Sequence, residues 1–160
     1  MTKKKDDDPQ QKPIADNRKA FHDFHILETF EAGVVLRGTE VKAIREGRVN
    51  LRDSYARPEQ GEIWAYNVHI SPYSHRGYAE HEPTRKRKLL LHREEIRKLI
   101  GKVTERGMTL VPTRMYFRNG RVKLAIGLAK GKKSYDKRET IRRRDAERET
   151  RAAIKERRSR

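Results

Sequence analysis

The dipeptide Asn119-Gly120 constrains this chain more than any other feature. Asn-Gly supplies the two positive-φ residues that a two-residue turn needs, and here it stands between "TLVPTRMYF" and "VKLAIGLA". Both runs carry strand-forming residues, so they are expected to pair antiparallel. In the second run Val122, Leu124, Ile126 and Leu128 point to one side, and Lys123, Ala125, Gly127 and Ala129 to the other. The first side is apolar and demands a core. The second is small-residued around one lysine, which predicts a close approach to its backbone.

A lone hairpin is marginal in water, so it needs further strands. "FHDFHILETFEAGVVL" mixes aromatic and β-branched residues and predicts a long strand, bent or bulged near Gly33. "VNLRDSYARPEQGEIWAYNVHISPY" predicts two strands around a turn at Pro58-Glu59-Gln60-Gly61. Within it Ile63, Ala65, Asn67 and His69 alternate with Trp64, Tyr66, Val68 and Ile70, giving one strongly apolar face. "GTEVKAIREG" predicts a short helix with Thr39 as cap and Gly47 as stop. "LHREEIRKLIGKVTERG" predicts a longer one, because Ile96, Leu99, Ile100 and Val103 follow the i, i+3, i+4, i+7 spacing. Residues 74–88 form a long polar connection. The expected fold is mainly β: a small antiparallel barrel of the oligonucleotide-binding (OB) type with two or three short helices.

The barrel is expected to occupy residues 17–130. Residues 1–16 are polar, with Pro9, Pro13 and an aspartate run, and read as a disordered arm. Residues 131–160 read as a basic tail. Composition matters here: only 34% of the 160 residues are apolar and 39% are charged, too few apolar groups for a core that includes the whole chain. Residues 130–160 hold 14 basic against 6 acidic residues, +8 of a net +17. That asymmetry predicts a polyanionic partner. The tail cannot form a core, yet past Gly131 it lacks glycine and proline and favours helix formers. Glu139–Arg143 and Glu147–Arg151 are i,i+4 pairs in the favourable order, whereas Arg144 and Arg148 repel unless phosphates neutralise them.

Catalytic chemistry finds no foothold. There is no cysteine, so thiolate zinc sites, cysteine nucleophiles and disulfides are excluded. The six histidines are scattered, with His22 and His25 expected on opposite faces of a strand. "GLAKGKK" has its glycines too close for a phosphate loop, and Lys133 stands where Ser or Thr is needed. No metal and no cofactor is expected. "MTKKKDDDPQQKP" has no apolar run behind its lysines, and no stretch reaches the roughly 18–20 apolar residues of a membrane span. A cytoplasmic protein without membrane contact is the expectation.

Binding chemistry is better represented. "PTRKRKLLL" sets Arg85 to Lys88 before an apolar run, with a solvated loop as the alternative reading. "NRKAFHDFH" interleaves Arg18, Lys19 and His22 with Phe21 and Phe24, where cations can meet phosphates and rings can stack bases. Core burial of both phenylalanines is the competing reading. Lys42, Arg87, Lys88, Lys123, Lys130, Lys132 and Lys133 complete the basic candidates.

"NRKAFHDF", "ETFEAGVVLRGTEVKAIREGRVNLRDSYA", "PTRKRKLLLHREEI" and "GLAKGKKSYDKRE", in this order and spacing, resemble the SsrA-binding protein family, also called small protein B. The resemblance runs from about Asn17 to Arg138. It implies a non-enzymatic, monomeric adaptor that binds the tRNA-like domain of transfer-messenger RNA (tmRNA). Such an adaptor supports the RNA's aminoacylation and delivers it to the A site of stalled ribosomes for trans-translation. Alanyl-tRNA synthetase and elongation factor Tu would meet it through the RNA. The resemblance also implies an RNA face around Asn17, Glu31, Leu90 and Lys123, with Glu31 either contacting RNA or orienting an arginine. It further implies that the tail is disordered in solution and helical in the decoding centre and downstream mRNA channel. Tyr135, Asp136, Lys137 and Arg138 would open that tail, and Ile154 would anchor it. The alternative is a ribosomal or general RNA-binding protein with a basic tail.

Overall fold

The computed structural model describes residues 11–74, 81–132 and 134–159, apart from the side chains of 105, 106 and 134–136. The chain runs β1 (Gln11–Asp16), α1 (Arg18–Asp23), β2 (Phe24–Val34), α2 (Gly38–Arg45), β3 (Val49–Asn50), β4 (Tyr55–Glu59) and β5 (Glu62–Tyr66). It continues through β6 (His69–Ile70), β7 (Arg87–Leu90), α3 (Arg93–Arg106), β8 (Thr109–Arg118), β9 (Arg121–Gly131) and α4 (Ser134–Arg158).

Asn119 and Gly120 turn at φ 52° and 74°, so the expected hairpin forms. Its strands pair from Thr109 with Ala129 to Arg118 with Arg121. β9 pairs on its other edge with β2, from Phe24 with Gly131 to Gly33 with Lys123. The order β8-β4-β5-β7-β2-β9 then closes on itself through the β8–β9 pairing. A closed barrel satisfies backbone groups that an open sheet leaves at its edges. Ile63, Leu89, Leu110, Leu124 and Ile126 fill the inside, joined by Ile44 from α2 and Leu99 from α3. Ile96, Ile100 and Val103 pack against the same core, and Gly107 at φ 61° ends α3. The fold is the mainly β barrel with added helices that the sequence predicts.

Several local expectations give way. Gln11–Asp16 is not a disordered arm: it forms β1, antiparallel to β8, with Ile14 and Ala15 packed against the core. Two apolar residues suffice because β8 supplies a ready edge. Phe21-His22-Asp23 belong to α1, so β2 begins only at Phe24. Phe24 packs beside Ile26 in a small cluster with Ala20, Val111 and Ala129, on the face of β9 away from the barrel interior, while Phe21 is exposed. The bulge in β2 falls at Leu27, where the register slips between Ile26 and Glu28, not at Gly33. Thr39 does not cap α2. Arg37 takes that place, its backbone N–H donating to Glu40 Oε1 at 2.8 Å, and Thr39 Oγ1 instead pairs with His81 Nδ1 at 3.0 Å.

The alternation read across residues 63–70 breaks at Asn67, which adopts φ 57°. One left-handed residue reverses the facing of everything beyond it, so Ile63 and Ala65 are buried together with Val68 and Ile70. Trp64 and Tyr66 therefore lie outside the barrel, covered by cations: Lys86 Nζ sits 4.7 Å from the Trp64 ring centre and the Arg57 guanidinium 4.6 Å from that of Tyr66. The preceding turn is Gln60-Gly61 alone, and Pro58 pairs with Ile63 inside the ladder.

The small-residued face of β9 is largely covered by the chain itself. Ala125, Gly127 and Ala129 are buried, and a Cβ on Gly127 would stand 3.0 Å from Ile26 Cγ2 and 3.1 Å from Thr113 Cγ2. β9 reaches Gly131, one residue past the expected domain end. Among the described residues, no helix is long and apolar enough to cross a membrane.

Candidate nucleic-acid interface

Three strands meet at Gly33. Lys123 of β9 and Leu90 of β7 are its partners on either side. The missing side chain makes room for Leu90, since a Cβ on Gly33 would lie 3.2 Å from Leu90 Cβ. Glu31 stands two residues earlier on β2, hence on the same face. Leu90 is 53% exposed, although every strand around it is paired. Leu90 and Lys123 form a ridge between two concavities. One is walled by Glu31, Glu62, Lys88 and His92, the other by Val34, Leu36, Val41 and Arg121. Glu31, Leu90 and Lys123, which the resemblance singled out, are thus assembled from three strands.

Glu31 is held by two donors. The Tyr116 hydroxyl donates to Oε2 at 2.5 Å, and Arg118 Nη1 donates to Oε1 and Oε2 at 3.2 and 3.1 Å. Tyr116 pairs with Lys123 across β8–β9, and Glu31 pairs with Ala125 across β2–β9, so small Ala125 lets the two side chains approach over β9. Burial would raise the Glu31 pKa, but Tyr116, Arg118 and Lys123 together bring it below the usual carboxylate range. Burial and the neighbouring carboxylate push the Tyr116 phenol above its ordinary range, so it stays a donor. Tyr116 and Arg118 escaped sequence reading. Their signal was strand alternation on β8, which places both on the Lys123 face once the hairpin register is fixed.

Other candidates have different duties. Asn17 is buried: its amide donates to the carbonyls of Leu51 at 3.1 Å and Pro112 at 2.8 Å, and its Oδ1 accepts from the Ala20 N–H. It caps α1 and ties it to the barrel, so its amide is already committed and not open to bases or sugars. Arg87 is 1% exposed and pairs with the fully buried Glu40. Its Nη1 and Nη2 donate to the carbonyls of Val68 and Pro83. The four-base run is therefore neither a uniform phosphate patch nor a solvated loop. Period 2 sends Arg87 inward and Lys88 outward, where Lys88 joins Glu62 at 2.7 Å beside the ridge. Lys132 Nζ donates to the Phe21 carbonyl and Thr140 Oγ1, fastening α4 to α1.

Arg18, Lys19, His22 and Lys130 lie at the far end of β2 and β9, where His25 pairs with Lys130. Eight residues of strand separate that pair from Gly33, roughly 26 Å at 3.3 Å per residue. Lys19 is paired with Asp53 and His22 with Asp23. Lys42 is exposed on α2 with its Nζ 5.5 Å from the Tyr73 ring centre. Lys137 reaches Asp23 at 3.8 Å, Arg138 is exposed, and Ile154 is exposed near the end of α4. Lys133 and the side chains of Tyr135 and Asp136 lie outside the described residues.

Cationic, apolar and hydrogen-bonding groups on this face suit binding. Among the described residues, no three His, Asp or Glu side chains gather to hold a metal ion.

Comparison with known proteins agrees in sequence and in fold. The family model described as SmpB protein matches residues 14–156. A relative from Carboxydothermus hydrogenoformans, described as SsrA-binding protein, is 59% identical over 147 residues, covering 92% of this chain and 99% of its own. Another SsrA-binding protein, from Trichodesmium erythraeum, is 63% identical over 147 residues, covering 91% and 94%. A solved structure described as "tmRNA-SmpB: a journey to the center of the bacterial ribosome" superposes with a TM-score of 0.66 at 50% identity, covering 82% of this chain and 96% of its counterpart.

Proposed function

This chain belongs to the SmpB protein family, and from that membership we propose the function of a tmRNA-binding adaptor in trans-translation. It binds the tRNA-like domain of tmRNA and delivers it to the A site of stalled ribosomes. It acts as an RNA-binding protein and not as an enzyme. The observation that carries this reading is the ridge of Leu90 and Lys123 beside Glu31. Lys123 offers charge to a phosphate, and Leu90 an apolar surface for an unstacked base. RNA is recognised largely through shape and unstacked loops, because an A-form major groove admits no side chains. Lys88 supports the same face as a peripheral cation.

The cations at the far end of β2 and β9 suit a second duty. Arg18, Lys130 and the first turns of α4 flank the junction between barrel and tail, where the ribosome would take over from tmRNA. α4 enters the decoding centre and the downstream mRNA channel, with Tyr135 to Arg138 at its entrance and Ile154 as an apolar anchor. Off the ribosome this helix is marginal, because its exposed like charges repel and little of it packs on the barrel. The protein works as a cytoplasmic monomer, and alanyl-tRNA synthetase and elongation factor Tu meet it through the RNA.

The test compares RNAs at matched salt. The tRNA-like domain should bind far more tightly than an elongator tRNA; equal affinities would leave only a generic basic RNA-binding protein. Lys123→Ala should weaken tRNA-like binding roughly tenfold and reduce the salt slope by about one phosphate contact. An unchanged slope removes Lys123 from the contacts.

A further inference from the structure

We infer that Arg118 is a phosphate ligand of the RNA face and that Glu31 is its positioning residue, touching no RNA itself; this rests on the RNA-adaptor reading above. A carboxylate is an odd group to set against a polyanion. Here it is already engaged by the Tyr116 hydroxyl on one oxygen and by Arg118 Nη1 on both. Tyr116 is 5% exposed and fixed in the barrel wall, whereas the Arg118 side chain is 41% exposed. Rigidity therefore passes outward from Tyr116 to Glu31 to Arg118.

Arg118 ends β8 beside the hairpin tip. Its cross-strand partner is the exposed Arg121, and Lys123 stands two residues further along β9. Three cations thus crowd one end of the barrel, next to the Leu90 ridge. A guanidinium carries five donors in a rigid fork, so one group can serve Glu31 and a phosphate together. Holding it in place before binding removes part of the entropy cost of ordering a long side chain. Glu31 also offsets the mutual repulsion of Arg118 and Lys123 when no RNA is present.

The two possible roles of Glu31 predict opposite signs. If charge alone mattered, Glu31→Gln would strengthen RNA binding by removing a negative group. As a clamp, Glu31 must be ionised, so the same change should weaken it. The experiment is a double-mutant cycle on the full-length protein, read as affinity for the tRNA-like domain across a salt series. Arg118→Ala should cost about tenfold and lower the salt slope by about one. Glu31→Gln should cost several-fold, and Glu31→Gln with Arg118→Ala should be no weaker than Arg118→Ala alone. Tyr116→Phe, which deletes one hydroxyl, should move affinity in the same direction by less, with thermal melts confirming folded protein.

Unchanged affinity and slope in Arg118→Ala overturn the inference. So do additive losses in the double variant, which would mean that Glu31 contacts RNA directly, and so does a gain in Glu31→Gln. The adaptor reading fails separately, on the unmutated protein, by equal binding to elongator tRNA.

Discussion

Ending the chain after Lys132 should leave affinity for the tRNA-like domain within about fivefold of full length at 0.15 M salt, while tagging of stalled peptides falls to background. The cut follows from the structure. β9 runs to Gly131, Lys132 N–H donates to the Asp23 carbonyl, and Lys132 Nζ bonds the Phe21 carbonyl. A cut at Lys130 would remove those bonds together with the tail and confuse two effects. The 25 residues of α4 span about 37 Å at 1.5 Å per residue, several times the roughly 8 Å over which charge acts at this salt. Most of its charge is therefore too distant to steady RNA at the Leu90 ridge. Ala153→Pro in the full-length protein separates helix from charge. It keeps every arginine but breaks the last turns of α4 before Ile154. Tagging should fall sharply with RNA binding intact. Tagging by the truncated protein would sink the proposed division of labour. Tagging by the proline variant would leave the tail acting as bare charge.

The same boundary shows what a sequence can and cannot display. The β8–β9 hairpin was legible because Asn-Gly fixes its turn chemically, and α3 because its apolar spacing has one solution. Trp64 and Tyr66 were misplaced for a physical reason: Asn67 in a left-handed conformation shifts the facing of the strand, and although asparagine favours that conformation more than most residues, without a following glycine it does not by itself mark a break in an alternating run. β1 was missed because its stability comes from an edge on β8 about 100 residues away. The RNA candidates divide likewise. Glu31, Leu90 and Lys123 become neighbours through register, which no local pattern encodes. Arg87 and Asn17 look like surface groups by residue type, but pairing with Glu40 and capping of α1 place them inside.

Glu40→Ala should be the most damaging single substitution, costing about 3–5 kcal/mol and lowering the midpoint of thermal unfolding by roughly 10–20 °C. Glu40 is fully buried on α2 and accepts from Arg85, Arg87 and the Arg37 backbone N–H. It joins α2 to β7 and the segment before it, and Arg87 continues that link to the carbonyls of Val68 and Pro83. Removing the carboxylate strands a guanidinium that is 1% exposed, and an unpaired buried charge is far costlier than the pair. Arg87→Met should cost less than Glu40→Ala, because Arg85 still neutralises the carboxylate while methionine fills the space. The double variant should be more stable than the two losses summed, since no lone charge remains at the centre. Burial alone would raise the Glu40 pKa, but the Arg37 N–H and the two arginines outweigh it and hold the value below normal. Its stabilisation is therefore complete above the unfolded-state value of about 4.3 and lost as pH falls through the lower folded value. Denaturant unfolding between pH 3 and 7 should show Glu40→Gln with a flatter acid limb than the unmutated protein. An acid limb of equal slope would mean that other carboxylates govern it, and equal stability of Glu40→Ala would deny the buried pair its structural role.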